Sequence, residues 1–326
     1  MGESGVSPTR NVYLRFQQIL VGVALVFMVL LLRNQWGELS RQPWRLNVGW
    51  LAISTIFLLI SWGLEIKIWQ RLLALMGSNI AYGPAIRIWF LSAMTRYVPG
   101  NIWQPLSMTM RCQKRGVRPE TTIASVLLFQ LMILMAAGPV AALYLGLFGN
   151  YGMFTTVWQG LSWGRWTPLL LCLLLLPIVV FILRPNWFFG LANWGLARIG
   201  RPPLDNSFST AQLFGVLVLT FIHWLCWGLC FGALTFSLQT YTYAEMAILA
   251  PHLIASFPIA YAVGFLSFIT PSGFGVREGA LYFLLAPLMG GGPATVAALA
   301  MRIWPTVGEL AMALISWSIE ERYQRF

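Results

Sequence analysis

Two short stretches of this sequence combine residues able to hold a charged group with residues able to break a helix. The first reads Met94-Thr95-Arg96-Tyr97-Val98-Pro99-Gly100-Asn101-Ile102-Trp103-Gln104-Pro105. The second reads Ser267-Phe268-Ile269-Thr270-Pro271-Ser272-Gly273-Phe274-Gly275-Val276-Arg277-Glu278-Gly279. Each sets an arginine and several polar residues around a Pro/Gly break in otherwise apolar sequence, one in each half of the chain. A helix starting near Val276 would aim its free N–H groups and positive dipole end at an anion, and Arg277 would add a full charge. A phosphate is the ligand that such a set suits. Ordinary loops at a membrane surface account for the same residues, with Arg96 and Arg277 reaching back to water along their apolar stems.

The elements around these stretches follow from composition. Hydrophobic residues make up 58% of the 326 and charged residues only 10%, with a mean hydropathy of +0.71. Soluble domains carry about 25% charge, so this chain has too few charges to cover a water-facing surface. Its apolar residues come in runs long enough to cross hydrocarbon, which takes roughly 20 residues as a helix, without the two-residue alternation of barrel strands. The runs are Phe16–Leu32, Val48–Trp69, Pro84–Val98, Thr121–Phe148, Trp166–Leu183, Thr210–Leu238, Glu245–Ile269, Ala280–Leu288 and Pro293–Ser318. Pro84–Val98 and Ala280–Leu288 are short for a span, and both adjoin the Pro/Gly breaks. The expected fold is an all-α polytopic membrane protein, a bundle of about 7–9 hydrophobic segments with two Pro/Gly-broken, re-entrant helices in its two halves. The expected division is a cytoplasmic tail at 1–15, one transmembrane domain at 16–319 and a tail at 320–326. Arg10 and Arg15 precede the first run, which no small-residue cleavage site follows, so it reads as a retained helix rather than a signal peptide.

The charge balance sets orientation. Lys and Arg number 21 against 10 Asp and Glu, a net charge of +11. No soluble module gathers these charges, so nucleic acid is not an expected partner; the positive-inside rule accounts for them instead. Arg111, Lys114, Arg115 and Arg118 form one cytoplasmic linker, and Arg184, Arg198 and Arg201 another. The segments Gly149–Gly164 and Gln239–Tyr243 are nearly uncharged and read as external; Arg41 and Arg45 fit this scheme poorly. Many of the 16 tryptophans lie near run ends, among them Trp36, Trp44, Trp50, Trp69, Trp163 and Trp187, as an interfacial belt requires.

Further charges fall inside the runs. Glu65 lies within the second, Glu245 at the start of another, and Arg302 and Glu309 seven apart in the last, on one helix face. A central charge costs about 2.5–3.5 kcal/mol on insertion scales, so Glu309 should face the bundle interior and find a partner such as Arg96 or Arg277. His223, Cys226 and Cys230 share one helix face by spacing. Without another ligand nearby, packing between helices suits them better than a metal; no metal or other cofactor is expected, nor a disulfide framework.

At the two broken stretches the sequence resembles a known family. Arg96-Tyr97-Val98-Pro99-Gly100-Asn101-Ile102-Trp103 is similar to the (K/R)Y(I/V)PG-x-(I/V)W element of the lysylphosphatidylglycerol synthetase transmembrane-region family, also called flippase-like. Pro271 to Gly279 is similar to that family's PGG(L/F)G-x-REG element, with Ser272 where glycine is usual. The resemblance covers about residues 10–320. It implies a multi-pass protein of the plasma (inner) membrane that moves phospholipids or lipid-linked intermediates between leaflets. Some members carry a soluble aminoacyl-transferring domain; this chain ends at Phe326, soon after its last span, so the expectation is the flippase part alone and not an enzyme. The substrate-binding candidates are Arg96, Tyr97, Pro99, Gly100, Asn101 and Trp103 at the first break. At the second they are Pro271, Gly273, Gly275, Arg277 and Glu278, with Glu309 in the last run.

Membrane lipids with anionic or phosphate-bearing headgroups are the expected partners, alongside a homo-oligomer or pathway proteins. No G-x-x-x-x-G-K-[ST] motif is present to bind a nucleotide. A membrane-embedded lipid or glycolipid transferase is the alternative, but it calls for clustered carboxylates or histidines, and the single Asp205 lies in a linker. A non-transporting scaffold subunit of a lipid or glycan pathway is the other alternative.

Overall fold

The computed structural model describes residues 33, 37, 44–97, 102–148, 163–184, 186–204, 209–267 and 273–324. The expected first helix Phe16–Leu32, the tail at 1–15, and Pro99, Gly100, Asn101 and Pro271 lie outside these residues, as do the side chains of Arg96 and Tyr97. The described residues form α1 (Val48–Leu75), α2 (Tyr82–Ala93), a 3-10 turn (Met94–Tyr97), α3 (Trp103–Gln113) and α4 (Pro119–Phe148). They continue with α5 (Trp163–Leu183), α6 (Trp187–Arg198), α7 (Thr210–Leu238), α8 (Tyr243–Leu266), α9 (Val276–Met289) and α10 (Gly291–Gln324). The only β-pairing among them is an isolated antiparallel bridge between Trp44 and Gln239.

Five helices, α1, α4, α7, α8 and the Gly291–Ile319 part of α10, are long and apolar enough to cross a membrane. The pair Cys172–Leu183 and Trp187–Arg198, bent by 77°, makes a sixth if taken as one broken span. By contrast α2, α3 and α9, of 12, 11 and 14 residues, reach only about 16–21 Å at 1.5 Å per residue, short of the roughly 30 Å core. α2 and α3 pack on each other across the first break, and α9 packs on both α8 and α10.

Two linkers read from the sequence as loops contain helices. α3 carries Arg111 in its last turn, and α6 carries Arg198 in its last turn. Neither has an apolar run of spanning length, so hydropathy passed them over.

Sequence-local caps fix the starts of the long helices. The Asn47 side chain accepts from the N–H groups of Gly49 and Trp50, and capping boxes join Ser209 to Gln212 and Thr242 to Glu245. Glu245 is therefore a cap, with Oε2 accepting from the Thr242 N–H at 2.7 Å. α1 and α7 lie antiparallel at the centre: Asn47 N donates to Ser237 O at 2.8 Å, and Ser54 Oγ to Cys230 O at 2.9 Å. Trp69, placed in the interfacial belt from its position near a run end, is instead fully buried and donates Nε1–H to Ser125 Oγ at 3.1 Å. An indole in the bundle interior still needs an acceptor for its N–H, and Ser125 supplies it.

Close backbone approach holds α7 to α8. A Cβ on Gly228 would run into the carbonyl group of Ile254, as expected where helices without a hydrophobic drive between them associate through small residues. Gly228→Val should therefore destabilise the protein by about 1–3 kcal/mol, read as a lowered Tm in detergent. Gly215→Ala on the same helix, where a Cβ meets open space, should leave Tm unchanged.

Candidate functional site

The second break is built by two glycines and one carboxylate. α8 ends at Leu266, and the chain returns through Gly273 and Gly275, with φ of +67° and +82°, values that residues with a Cβ rarely adopt. A Cβ on Gly273 would stand 3.0 Å from the Gly264 backbone, and one on Gly264 would stand 3.1 Å from Arg277 Cβ. Gly273 and Arg277 thus pack tightly against the end of α8.

α9 starts at Val276, and its amino terminus is closed by Glu278. Oε2 of this carboxylate accepts the Gly275 N–H at 2.7 Å. Oε1 accepts from Arg302 Nη1 on α10 at 2.9 Å and lies 3.8 Å from Arg277 Nε. Glu278 is 4% exposed, whereas the Arg277 and Arg302 side chains keep 18% and 19% exposure. Each guanidinium also lies over a ring, Arg302 at 4.5 Å above Phe274 and Arg277 at 5.7 Å from the centre of Phe257. Glu309, buried at 7% exposure, is close enough to act on the Arg277 charge.

The site therefore holds two arginines and two carboxylates. The α9 amino terminus, read from the sequence as the place for a phosphate, receives the chain's own Glu278. The sequence placed Arg302 and Glu309 on one face of α10 and expected Arg96 or Arg277 as the partner of Glu309; Arg302 reaches across to Glu278, and Glu309 acts on the Arg277 charge. Arg302 is thus a site residue that the substrate-binding candidates left out; its signal was a charge inside the last apolar run.

The first break is brought toward the same helix. α2 and the 3-10 turn holding Arg96 and Tyr97 both pack against α10, and half-buried Trp103 opens α3 on the other side. α10 is thus common to both breaks.

The His223, Cys226 and Cys230 face forms no ligand set; among the described residues no three His, Cys, Asp or Glu gather as a metal site. Cys230 packs at 3.4 Å from Ser54 Oγ, and His223 turns to Glu65 on α1. All four cysteines are free.

A helical bundle with several spanning helices and an ion-pair cluster at an intramembrane break defines a polytopic α-helical membrane protein. The profile of the lysylphosphatidylglycerol synthase TM region family matches residues 17–311, and the chain belongs to that family. No curated protein matches it.

Removing Glu278 would leave two arginines without their carboxylate. Breaking a buried pair on one side costs about 3–5 kcal/mol, so Glu278→Ala should lower stability by about that much in chemical unfolding from detergent. Adding Arg302→Met to Glu278→Ala should recover part of the loss, because one stranded cation goes with it.

Proposed function

We propose that this protein moves a phospholipid or lipid-linked intermediate between the leaflets of the plasma (inner) membrane, as a transporter rather than an enzyme. The observation that carries the reading is the unequal sharing of Glu278 between two arginines. Arg302 holds Oε1 at 2.9 Å, whereas Arg277 Nε stands off at 3.8 Å. Arg302 therefore keeps the carboxylate in place, and Arg277, partly exposed and backed by Phe257, is the guanidinium with donors to offer an incoming anion. A headgroup phosphate matches that donor fork.

Family membership supports a lipid-related role. Arg96, Tyr97 and Trp103 belong to the first break, whose helix α2 packs against the same α10 that carries Arg302. The partly buried setting favours exchange: the incoming phosphate replaces water around Arg277 while Glu278 stays closed on the helix terminus. The partners are then anionic or phosphate-bearing lipids, with further copies of the chain or pathway proteins around them.

The test is translocation of fluorescent phosphatidylglycerol and phosphatidylcholine in liposomes holding the purified protein. Arg277→Ala should slow headgroup-dependent movement by about tenfold or more, the scale of losing a charge-assisted hydrogen bond, and Arg277→Lys should retain part of it. Unchanged movement in correctly folded Arg277→Ala would overturn the role of Arg277 as the phosphate holder.

A further inference from the structure

A second polar centre lies away from the Glu278 cluster, between α1 and α7. His223 is the fourteenth of the 29 residues of α7, counting Thr210 as the first, so it sits near the middle of that span. It is 1% exposed. Its Nε2 is 2.9 Å from Glu65 Oε1, and Trp227 donates Nε1–H to the same oxygen at 3.1 Å. Its other ring nitrogen, Nδ1, is buried and has no hydrogen-bond partner among the described residues. The Glu65 side chain keeps 17% exposure, so one end of the pair reaches accessible space while the other is sealed.

Packing alone accounts poorly for this arrangement. A structural histidine in a low-dielectric interior has both nitrogens satisfied as a rule, and an ionised carboxylate is expensive there unless its charge is balanced. With a neutral imidazole donating Nε2–H to Glu65, the pair carries one uncompensated negative charge. One proton added at Nδ1 makes it an imidazolium–carboxylate pair with no net charge. No covalent bond other than that N–H forms or breaks. The neutral form suits the membrane interior, and the deprotonated form suits a state in which water or a cation reaches Glu65.

The groups around the pair leave it as the titratable element of this layer. α1 contributes Glu65. α4 carries no charge between Glu120 and Phe148 and turns Gln130 to the Tyr261 hydroxyl. α5 carries none between Arg165 and Leu183. α8 contributes Tyr261, whose ring is 5.0 Å from Trp224, while its His252 is bound to the Tyr144 hydroxyl. α10 contributes Arg302 and Glu309, and Gly308 beside Glu309 faces the Trp62 ring one turn before Glu65. Trp227 stacks on Phe257 at 5.3 Å, and Phe257 lies under Arg277. One aromatic pair thus separates the histidine from the arginine cluster.

We infer that Glu65 and His223 form an intramembrane proton-binding site whose occupancy sets the movement of the anionic headgroup at Arg277. The second half rests on the proposed lipid translocation; the first does not. Trp227, which donates to Glu65, stacks on Phe257, which lies under Arg277; loss of the negative charge on the pair lowers its repulsion of a phosphate held beyond those two rings, so proton uptake and anion binding favour one another.

The chain contains two histidines, so nitrogen-15 histidine NMR of the full-length protein in phosphatidylcholine–phosphatidylglycerol nanodiscs reads the site directly, with His252→Gln leaving the His223 signals alone. The expected result is a reversible change of the His223 imidazole between neutral and charged forms as the pH is varied. Glu65→Gln should weaken proton binding by about tenfold or more, since the opposite charge is lost. An imidazole fixed in one form throughout, or unmoved by Glu65→Gln, overturns the proton site. In liposomes, translocation of fluorescent phosphatidylglycerol should rise as pH falls, lose that dependence in Glu65→Gln and keep it in Glu65→Asp. Titration of His223 with pH-independent translocation overturns the coupling alone. Titration with no translocation at any pH upholds the proton site and overturns the lipid-moving function.

Discussion

A helix that breaks inside hydrocarbon exposes backbone groups that lipid cannot satisfy, and the second half of this bundle is arranged around that constraint. Glu278 meets it by facing two ways. One carboxylate oxygen closes the α9 amino terminus through the Gly275 N–H, and the other draws Arg302 across from α10. The same side chain thus caps a helix, ties two helices together and places the guanidiniums. Gly264 and Gly273 allow the chain to come close enough for this to happen, and the positive φ at Gly273 and Gly275 turns it.

Charge is managed locally rather than spread through the spans. Around Glu278 two arginines face two carboxylates, and Arg302 stands closer to Glu278, at 2.9 Å, than Arg277, at 3.8 Å. Around Glu65 a single carboxylate is matched by a histidine, whose charge depends on a proton. Both centres connect through aromatic side chains, Phe257 most directly, and both are approached by α10. That helix carries Arg302 at one centre, packs Gly308 on Trp62 one turn from the other, and also packs against α2.

The first break follows the same physical logic with different parts. α2 and α3 are each too short to cross alone, and they pack on one another and on the long helices to either side. Two short helices flanking a Pro/Gly sequence suit a path that enters the membrane and returns. The short helices α3, with Trp103 and Arg111, and α6, with Trp187, Trp194 and Arg198, complete the framework beside the five long helices.

Much of this was legible in the sequence. Apolar runs of spanning length fixed the long helices, Thr210–Leu238 to the residue, because twenty apolar residues in hydrocarbon leave the backbone one way to satisfy itself. The Pro/Gly motifs located the breaks, and the arginine and glutamate beside Gly275 marked the second as chemical. What the sequence did not contain was the choice of partner. Spacing put Arg302 on one face of α10 with Glu309 and His223 on one face of α7 with two cysteines, since spacing displays only neighbours on the same helix. The partners that the structure assigns, Glu278 for Arg302 and Glu65 for His223, lie on other helices. Helix packing alone decides which side chains meet across such a gap, and the buried position of Trp69 was settled the same way. Hydropathy determined which segments enter the membrane; tertiary packing determined which charges find each other there.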